Sequence, residues 1–147
     1  LEFRRVLFRS GRAVVIVADT NLLIYLYVQG QRTAESEALL QKDAVWTAPL
    51  LWRSEFRNAL IGLVRTDALQ LEEAMSMIDE AERWLNGHEY SVVSRQVLAL
   101  ASRSGCSAYD CEFVALAQDL EVPLVTNDRQ ILKAFPTIAV SPSAFTA

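Results

Sequence analysis

The stretch that decides the fold is Ala13-Val14-Val15-Ile16-Val17-Ala18, which Asp19 follows directly. This run is rich in β-branched residues and hardly alternates between apolar and polar positions. Such a pattern is typical of a strand that is buried on both faces of a parallel sheet. Because ligands of open α/β sheets bind beyond the carboxyl ends of the strands, Asp19 stands at an expected functional edge.

Helical and extended patterns alternate along the rest of the chain. Further strands are predicted at 44–47, 89–93, 122–126 and 137–140, and helices at 21–28, 33–42, 49–65, 71–85, 94–104, 107–120 and 129–134. Pro49 is expected to open the third helix, since proline fits a first helical turn. The alternation predicts an α/β fold, a three-layer α/β/α sandwich around a mostly parallel five-stranded sheet. We expect one domain over residues 13–147, preceded by a tail at 1–12 that is non-native or disordered.

Composition excludes several classes of protein. With 147 residues, 52% of them apolar, the chain is long enough to bury a core. Two cysteines exclude a disulfide framework, and one histidine, His88, argues against a structural zinc site. The apolar runs are shorter than the roughly 20 residues of a membrane span, so we expect a cytoplasmic protein. The net charge of −4 argues against simple electrostatic capture of nucleic acid.

Four acidic residues occupy positions that the pattern assigns to strand ends or to inward helix faces. Asp19 ends the first strand, and Asp128 follows the strand that ends at Thr126. Glu55 shares the apolar face of its helix, and Asp110 opens the inward face of another. A carboxylate on an inward face is rarely buried without a partner, so these residues are candidates for a site.

Each of these acids also has a local explanation that the sequence leaves open. The local alternatives are helix caps by Asp19 and by Asp128 or Asn127, a capping box of Ser107 with Asp110, and ion pairs of Glu55 with Arg53 or Arg57. Taken together, however, four neighbouring carboxylates would repel one another. Two like charges 4 Å apart cost about 4 kcal/mol at an effective dielectric constant of 20. Hard divalent cations such as Mg²⁺ or Mn²⁺ relieve that cost, and carboxylates and water are the ligands they prefer.

The segments around these acids resemble those of PIN-domain ribonucleases, and most of all the VapC-type toxins of bacterial toxin–antitoxin pairs. The resemblance is carried, in order, by residues 17–25 (VADTNLLIY), 53–60 (RSEFRNAL), 108–117 (AYDCEFVALA) and 125–129 (VTNDR). It extends over roughly residues 13–140. No single segment is decisive, but the ordered set of four is fairly specific to this family.

The resemblance implies both a topology and an activity. It implies the strand order 3-2-1-4-5, with Asp19 and Asp110 as the usual metal ligands and Glu55 and Asp128 completing the cluster. Thr126 matches a position that often supports the attacking water. The implied activity is Mg²⁺- or Mn²⁺-dependent endonucleolytic hydrolysis of RNA, leaving 5′-phosphate and 3′-hydroxyl ends. The implied partners are RNA, a cognate antitoxin protein and a second copy of the chain.

Three arginines near the acids are candidate phosphate contacts: Arg53, Arg57 and Arg129. They are equally well explained as solvated charges on helices. A phosphatase with an aspartyl nucleophile is an alternative enzyme, but it usually needs Asp-x-Asp where this chain has Asp19-Thr20-Asn21. A scaffold or binding module that does not cut RNA is the alternative outside enzymes, and the complete set of four acids speaks against it.

Overall fold

A computed structural model describes residues 14–42 and 44–147, without the side chain of Ala44; the tail predicted at 1–12 lies outside these ranges. The strands are β1 (Val14–Ala18), β2 (Ala44–Pro49), β3 (Glu89–Tyr90), β4 (Leu124–Val125) and β5 (Ala139–Val140). The helices are α1 (Thr20–Tyr27), α2 (Thr33–Gln41), α3 (Leu51–Arg65), α4 (Leu71–Trp84), α5 (Ser94–Ser104), α6 (Ala108–Leu120), α7 (Arg129–Ala134) and α8 (Pro142–Thr146). Strands and helices therefore alternate over most of the described chain, as the sequence pattern predicts.

The five strands form one sheet in the order β3-β2-β1-β4-β5, and every neighbouring pair is parallel. The predicted α/β class and the order 3-2-1-4-5 are both confirmed. β1 lies at the centre, where Val17 is paired with Thr47 of β2 on one side and with Leu124 of β4 on the other. The order reverses at β1, so the crevice beyond β1 and β4 is the expected ligand site of such a sheet.

Each face of the sheet is covered by its own hydrophobic core, which gives the three layers. Ile16 and Ala18 face a core that contains Trp52 and Phe56 of α3. Val17 faces the other core, which is built largely from α5, α6 and α7. Successive side chains of a strand point to opposite faces, so a central strand with both faces covered is apolar at every position. This accounts for the unbroken run that precedes Asp19.

Pro49 does not open a helix as predicted, but ends β2. The amides of Ala48 and Leu50 donate to the carbonyls of His88 and Tyr90, at 3.1 and 3.0 Å. Alternate amides of a strand point to opposite sides, so the nitrogen of Pro49 faces away from β3. On that side, the pairing of β2 with β1 has already ended at Thr47. The missing N–H therefore costs no ladder hydrogen bond, which is how proline is tolerated within a sheet.

Three predicted strands are shorter than expected, and one helix was not predicted. The strand predicted at 89–93 has only two residues, and those predicted at 122–126 and 137–140 also shorten to two residues each. A helix at 142–146 was not predicted; Ser141 caps it and Pro142 stands in its first turn. In the ranges that the structure describes, no helix has the length and apolar character needed to cross a bilayer.

Candidate active site

Asp19 and Thr126 meet where β1 and β4 end side by side. The amide of Asp19 donates to the carbonyl of Val125 at 3.1 Å, so both chains leave the sheet at the same place. The buried Thr126 hydroxyl donates to Asp19 Oδ2 at 2.6 Å and accepts from the amide of Asp128 at 3.0 Å. One hydroxyl thus fixes the carboxylate after β1 and the turn after β4.

Glu55 reaches the same edge of the sheet from α3, where a second threonine binds it. The hydroxyl of Thr20, which is 3% exposed, donates to Glu55 Oε1 at 2.7 Å. Thr20 was not among the predicted site residues, although a hydroxyl directly after Asp19 at a strand–helix junction was a usable signal. The ion pairs predicted as an alternative for Glu55 are wrong, since the described ion pairs of Arg53 and Arg57 are made with other acids.

The predicted capping roles are confirmed for two of the acids. Asp19 Oδ1 accepts from the amide of Asn21 at 3.2 Å, and Asp128 Oδ1 accepts from the amide of Ile131 at 3.0 Å. At α6, the cap is the Ser107 hydroxyl, which accepts from the amide of Asp110. A carboxylate oxygen has two lone pairs, so a capping bond leaves acceptor capacity on the same group. Capping and a role in a site therefore coexist here.

Burial and mutual repulsion act on the same group of acids, which we call the acidic cluster: Asp19, Glu55, Asp110 and Asp128. Burial raises the pKa of Asp19 above its ordinary value, and the charge of Asp128 raises it further. Burial also raises the pKa of Glu55 and of Asp110, and each of these also feels the charge of Asp19. Asp110 feels Asp128 as well, and Glu55 feels Asp110. The structure thus brings the four predicted acids into electrostatic contact.

The donor chemistry of the acidic cluster fits a hard divalent cation. None of the four carboxylates forms an ion pair with Lys or Arg among the described residues. In the same ranges, no three His, Cys, Asp or Glu side chains are arranged as a ready metal cage. Mg²⁺ usually binds through one or two carboxylates and keeps several waters, so it does not require such a cage. Repelling, partly desolvated carboxylates are what this kind of ion neutralises.

Two of the three candidate phosphate contacts pair with acids of other elements. Arg53 donates to both carboxylate oxygens of Glu89, at 2.6 and 2.7 Å, and also pairs with Glu82. Arg57 meets Glu82 at 3.8 Å. These two arginines are therefore engaged in contacts between α3, α4 and β3, whereas Arg129 is exposed at the start of α7.

One arginine that the sequence analysis missed does lie beside the acidic cluster. Arg32 lines a cleft of about 240 Å³ together with Asp19 and Asp128. Nothing in the local sequence marks Arg32, because it precedes α2 and is brought to the cleft only by the tertiary fold.

Comparison with known proteins gives consistent matches over most of the chain. The PIN domain pattern matches residues 16–136. Ribonuclease VapC3 from Pyrobaculum aerophilum is 32% identical over 127 residues, which are 84% of this chain and 96% of that protein. The crystal structure of PAE2754 from Pyrobaculum aerophilum superposes with a TM-score of 0.68 at 19% identity, over 90% of this chain and 87% of that one. A toxin-antitoxin complex from Klebsiella pneumoniae gives a TM-score of 0.62 at 20% identity, over 86% and 97%.

The two kinds of match bear on different points. The solved structures share less than a quarter of their residues with this chain, so their similarity establishes its fold and nothing more. The family pattern extends from β1 to α7 and includes every residue of the acidic cluster. Together with the identity to a full-length relative, it shows that this chain belongs to the PIN-domain family.

Proposed function

We propose that this protein is a Mg²⁺- or Mn²⁺-dependent endoribonuclease that acts as the toxin of a type II toxin–antitoxin pair. The observation that carries the proposal is the acidic cluster, four carboxylates from four separate segments that meet at one sheet edge, where burial and neighbouring acidic charges raise the pKa of Asp19, Glu55 and Asp110. The relative with the longest match described above is named as a ribonuclease. Its 96% coverage by this chain supports the same reaction here.

Asp19 and Asp110 are the proposed metal ligands, with Glu55 and Asp128 completing the site. The bound ion would supply a water of lowered pKa and would screen the charge of the phosphate. The protein itself contributes orientation. Thr126 and Thr20 each hold one oxygen of a carboxylate, Asp19 Oδ2 and Glu55 Oε1. Hydrogen bonds to ligand side chains of this kind fix the direction of the remaining lone pairs.

The partners follow from the same reasoning. RNA is the proposed substrate because the relative that this chain covers almost completely is named as a ribonuclease. A cognate antitoxin protein is proposed because a structural neighbour is a toxin-antitoxin complex. A basic segment of such an antitoxin would complement the acidic cluster electrostatically. We also propose a homodimer and a cytoplasmic location, where these substrates and partners are found.

The test is cleavage of RNA by the purified protein with Mn²⁺ and with a chelator. We expect metal-dependent cleavage that Asp110→Asn abolishes. Asp119→Asn is the matched control, because it removes a carboxylate from the same helix at an exposed position near its other end. Cleavage that survives both the chelator and Asp110→Asn would contradict the proposal. Binding of RNA without any cleavage would instead support the scaffold alternative.

A further inference from the structure

The cleft beside the acidic cluster has a composition that metal binding does not explain. Besides Leu22, its lining consists of Asp19, Asn21, Tyr25, Arg32, Asn127 and Asp128. Two side-chain amides, one aromatic ring and one guanidinium thus line the cleft beside two carboxylates of the acidic cluster. None of these four groups is a preferred ligand of Mg²⁺ beside available carboxylates, but all of them are groups that bind nucleotides.

Arg32 is the one cation that lines this cleft in the described part of the chain. Its side chain is 54% exposed and meets Glu35 Oε2 at 3.6 Å, whereas Arg53 binds both oxygens of Glu89 at 2.7 Å or less. A long, exposed ion pair contributes little and exchanges readily for a better acceptor. A phosphate can accept two parallel hydrogen bonds from a guanidinium, so it is such an acceptor.

Glu35 connects the two walls of the cleft. It pairs with Arg32 and also accepts from Asn127 Nδ2 at 3.0 Å, so it links the start of α2 to the turn that carries Asp128. The hydrogen bond holds the Asn127 amide beside this space before any ligand enters. The longer ion pair keeps the Arg32 guanidinium nearby but lets it turn to a phosphate.

The remaining lining of the cleft favours a single nucleotide of an unpaired strand. The half-buried ring of Tyr25 offers a surface on which one base can stack, and the amides of Asn21 and Asn127 can bond to base edges. Only an unstacked base of a single-stranded region can reach such a surface.

We propose that this cleft binds one nucleotide next to the scissile phosphate of a single-stranded RNA, with Arg32 on its phosphate and Tyr25 against its base. The proposal rests on the proposed function, because the acidic cluster defines which phosphate is cleaved. It names the part of the substrate that the protein recognises, in addition to the bond that it cuts.

The test compares Arg32→Ala with Arg103→Ala, which removes an exposed arginine that lines a different cleft. For Arg32→Ala we expect KM for single-stranded RNA to rise about tenfold with kcat nearly unchanged, as for the loss of one charge-assisted hydrogen-bonded contact. The slope of log K against log salt concentration should fall by about 0.7, the value for one phosphate contact on a single strand. Arg103→Ala should change none of these quantities.

Tyr25 provides a second comparison that separates the ring from the hydroxyl. Tyr25→Phe should keep RNA affinity, while Tyr25→Leu should lower it about tenfold, because stacking depends on the aromatic face. Equal affinities of the Phe and Leu variants and the wild type would overturn the assignment of the base to Tyr25.

RNA affinity is measured in an Asp110→Asn background, so that binding is read without cleavage. If the wild-type protein does not cleave RNA, but Arg32→Ala lowers the RNA affinity and the salt slope, the nucleotide site is supported and the proposed function is refuted. If the wild type cleaves RNA in a metal-dependent way, but Arg32→Ala and Arg103→Ala have the same KM, RNA affinity and salt slope, only the nucleotide site is overturned. Arg32→Ala that weakens binding of a co-purified protein partner but not of RNA would also overturn it.

Discussion

Helix α3 carries two neighbouring charges with opposite surroundings. Glu55 belongs to the acidic cluster, where burial and other carboxylates raise its pKa. Arg53, two residues earlier, belongs to what we call the paired cluster: Trp52, Arg53, Arg57, Glu82 and Glu89. There, the hydrogen bonds from Arg53 lower the pKa of Glu89, and the indole of Trp52 donates to the same carboxylate at 2.6 Å.

The difference shows that burial alone does not decide whether an acid stabilises the fold. A carboxylate that accepts hydrogen bonds from a guanidinium contributes stability in its charged form. A carboxylate whose neighbours are other carboxylates costs stability in that form until a cation arrives. The paired cluster therefore serves the fold, and the acidic cluster is available for a ligand.

The largest expected effect separates the two clusters by activity. Asp19→Asn should reduce RNA cleavage at least about a hundredfold, because a metal site supplies several kcal/mol of charge stabilisation in the transition state. It should change the free energy of unfolding little, because the single amide oxygen keeps only one of the hydrogen bonds from Asn21 and Thr126, but one repelling charge is removed. Cleavage assays and urea denaturation measure the two quantities.

Glu89→Gln is the matched comparison and should do the reverse. It should lower the free energy of unfolding and leave the cleavage rate of the folded protein within about twofold. An Asp19→Asn variant that cleaves normally, or that unfolds more easily than Glu89→Gln, would remove the distinction between the clusters.

The next effect concerns the threonines that orient the acidic cluster. Thr20→Val should lower Mn²⁺ affinity and cleavage by about ten- to a hundredfold, the usual loss when a hydrogen-bond partner of a metal ligand is removed. Thr20→Ser keeps the hydroxyl that donates to Glu55 and should restore most of both. Titration with Mn²⁺ reads the effect without turnover. Equal losses in the Val and Ser variants would indicate a packing role for Thr20 instead.

A smaller effect tests the paired cluster by its pH dependence. Glu89→Gln should cost about 1.5 kcal/mol of unfolding free energy near pH 7, since Arg53 is 35% exposed and part of the attraction is screened. The folded pKa of Glu89 lies below its ordinary 4.5, so the contribution is present above that pH. It is lost as the pH falls through the lowered pKa.

The measurement is the difference in unfolding free energy between wild type and Glu89→Gln, taken from about pH 7 down towards pH 2. The difference should shrink with acid. A difference that stays constant over this range would show that the pair stabilises by shape and not by charge.

The smallest effect is expected at the outer edge of the paired cluster. Arg57 is 57% exposed and meets Glu82 at 3.8 Å, so Arg57→Ala should change the unfolding free energy by less than about 0.5 kcal/mol. Urea denaturation beside Glu89→Gln gives the comparison. If Arg57→Ala lowered the unfolding free energy as much as Glu89→Gln, Arg57 would stabilise the fold as strongly as Arg53.

Local pattern was enough to predict the central strand and the positions of Asp19 and Asp128. A short β-branched apolar run without alternation is typical of a strand covered on both faces, and strand ends in a parallel sheet meet at one edge. Pro49 was misplaced because its role depends on which neighbour its nitrogen faces, which only the register with β3 decides.

Side-chain partners across long sequence separations could not be predicted. Thr20 and Glu55 are 35 residues apart, and Arg53 and Glu89 are 36 apart. Arg53 and Arg57 could each have paired with Glu55 or with a phosphate. Helical spacing does not show which acid of another element comes closest to them. Arg32 was missed for the same reason.

The position of β1 between β2 and β4 has a consequence for a chain that is still being synthesised. Until Leu124 and Val125 leave the ribosome, β1 has one paired edge, and neither Thr126 nor Asp128 is available to the carboxylate of Asp19. Asp19 and Glu55 are synthesised well before the other two acids, but the cluster closes only after residue 128. At synthesis rates of about 5–20 residues per second, an unfinished chain spends seconds without a complete site. A nuclease with this topology therefore does not threaten its own messenger RNA before residue 128 has been synthesised.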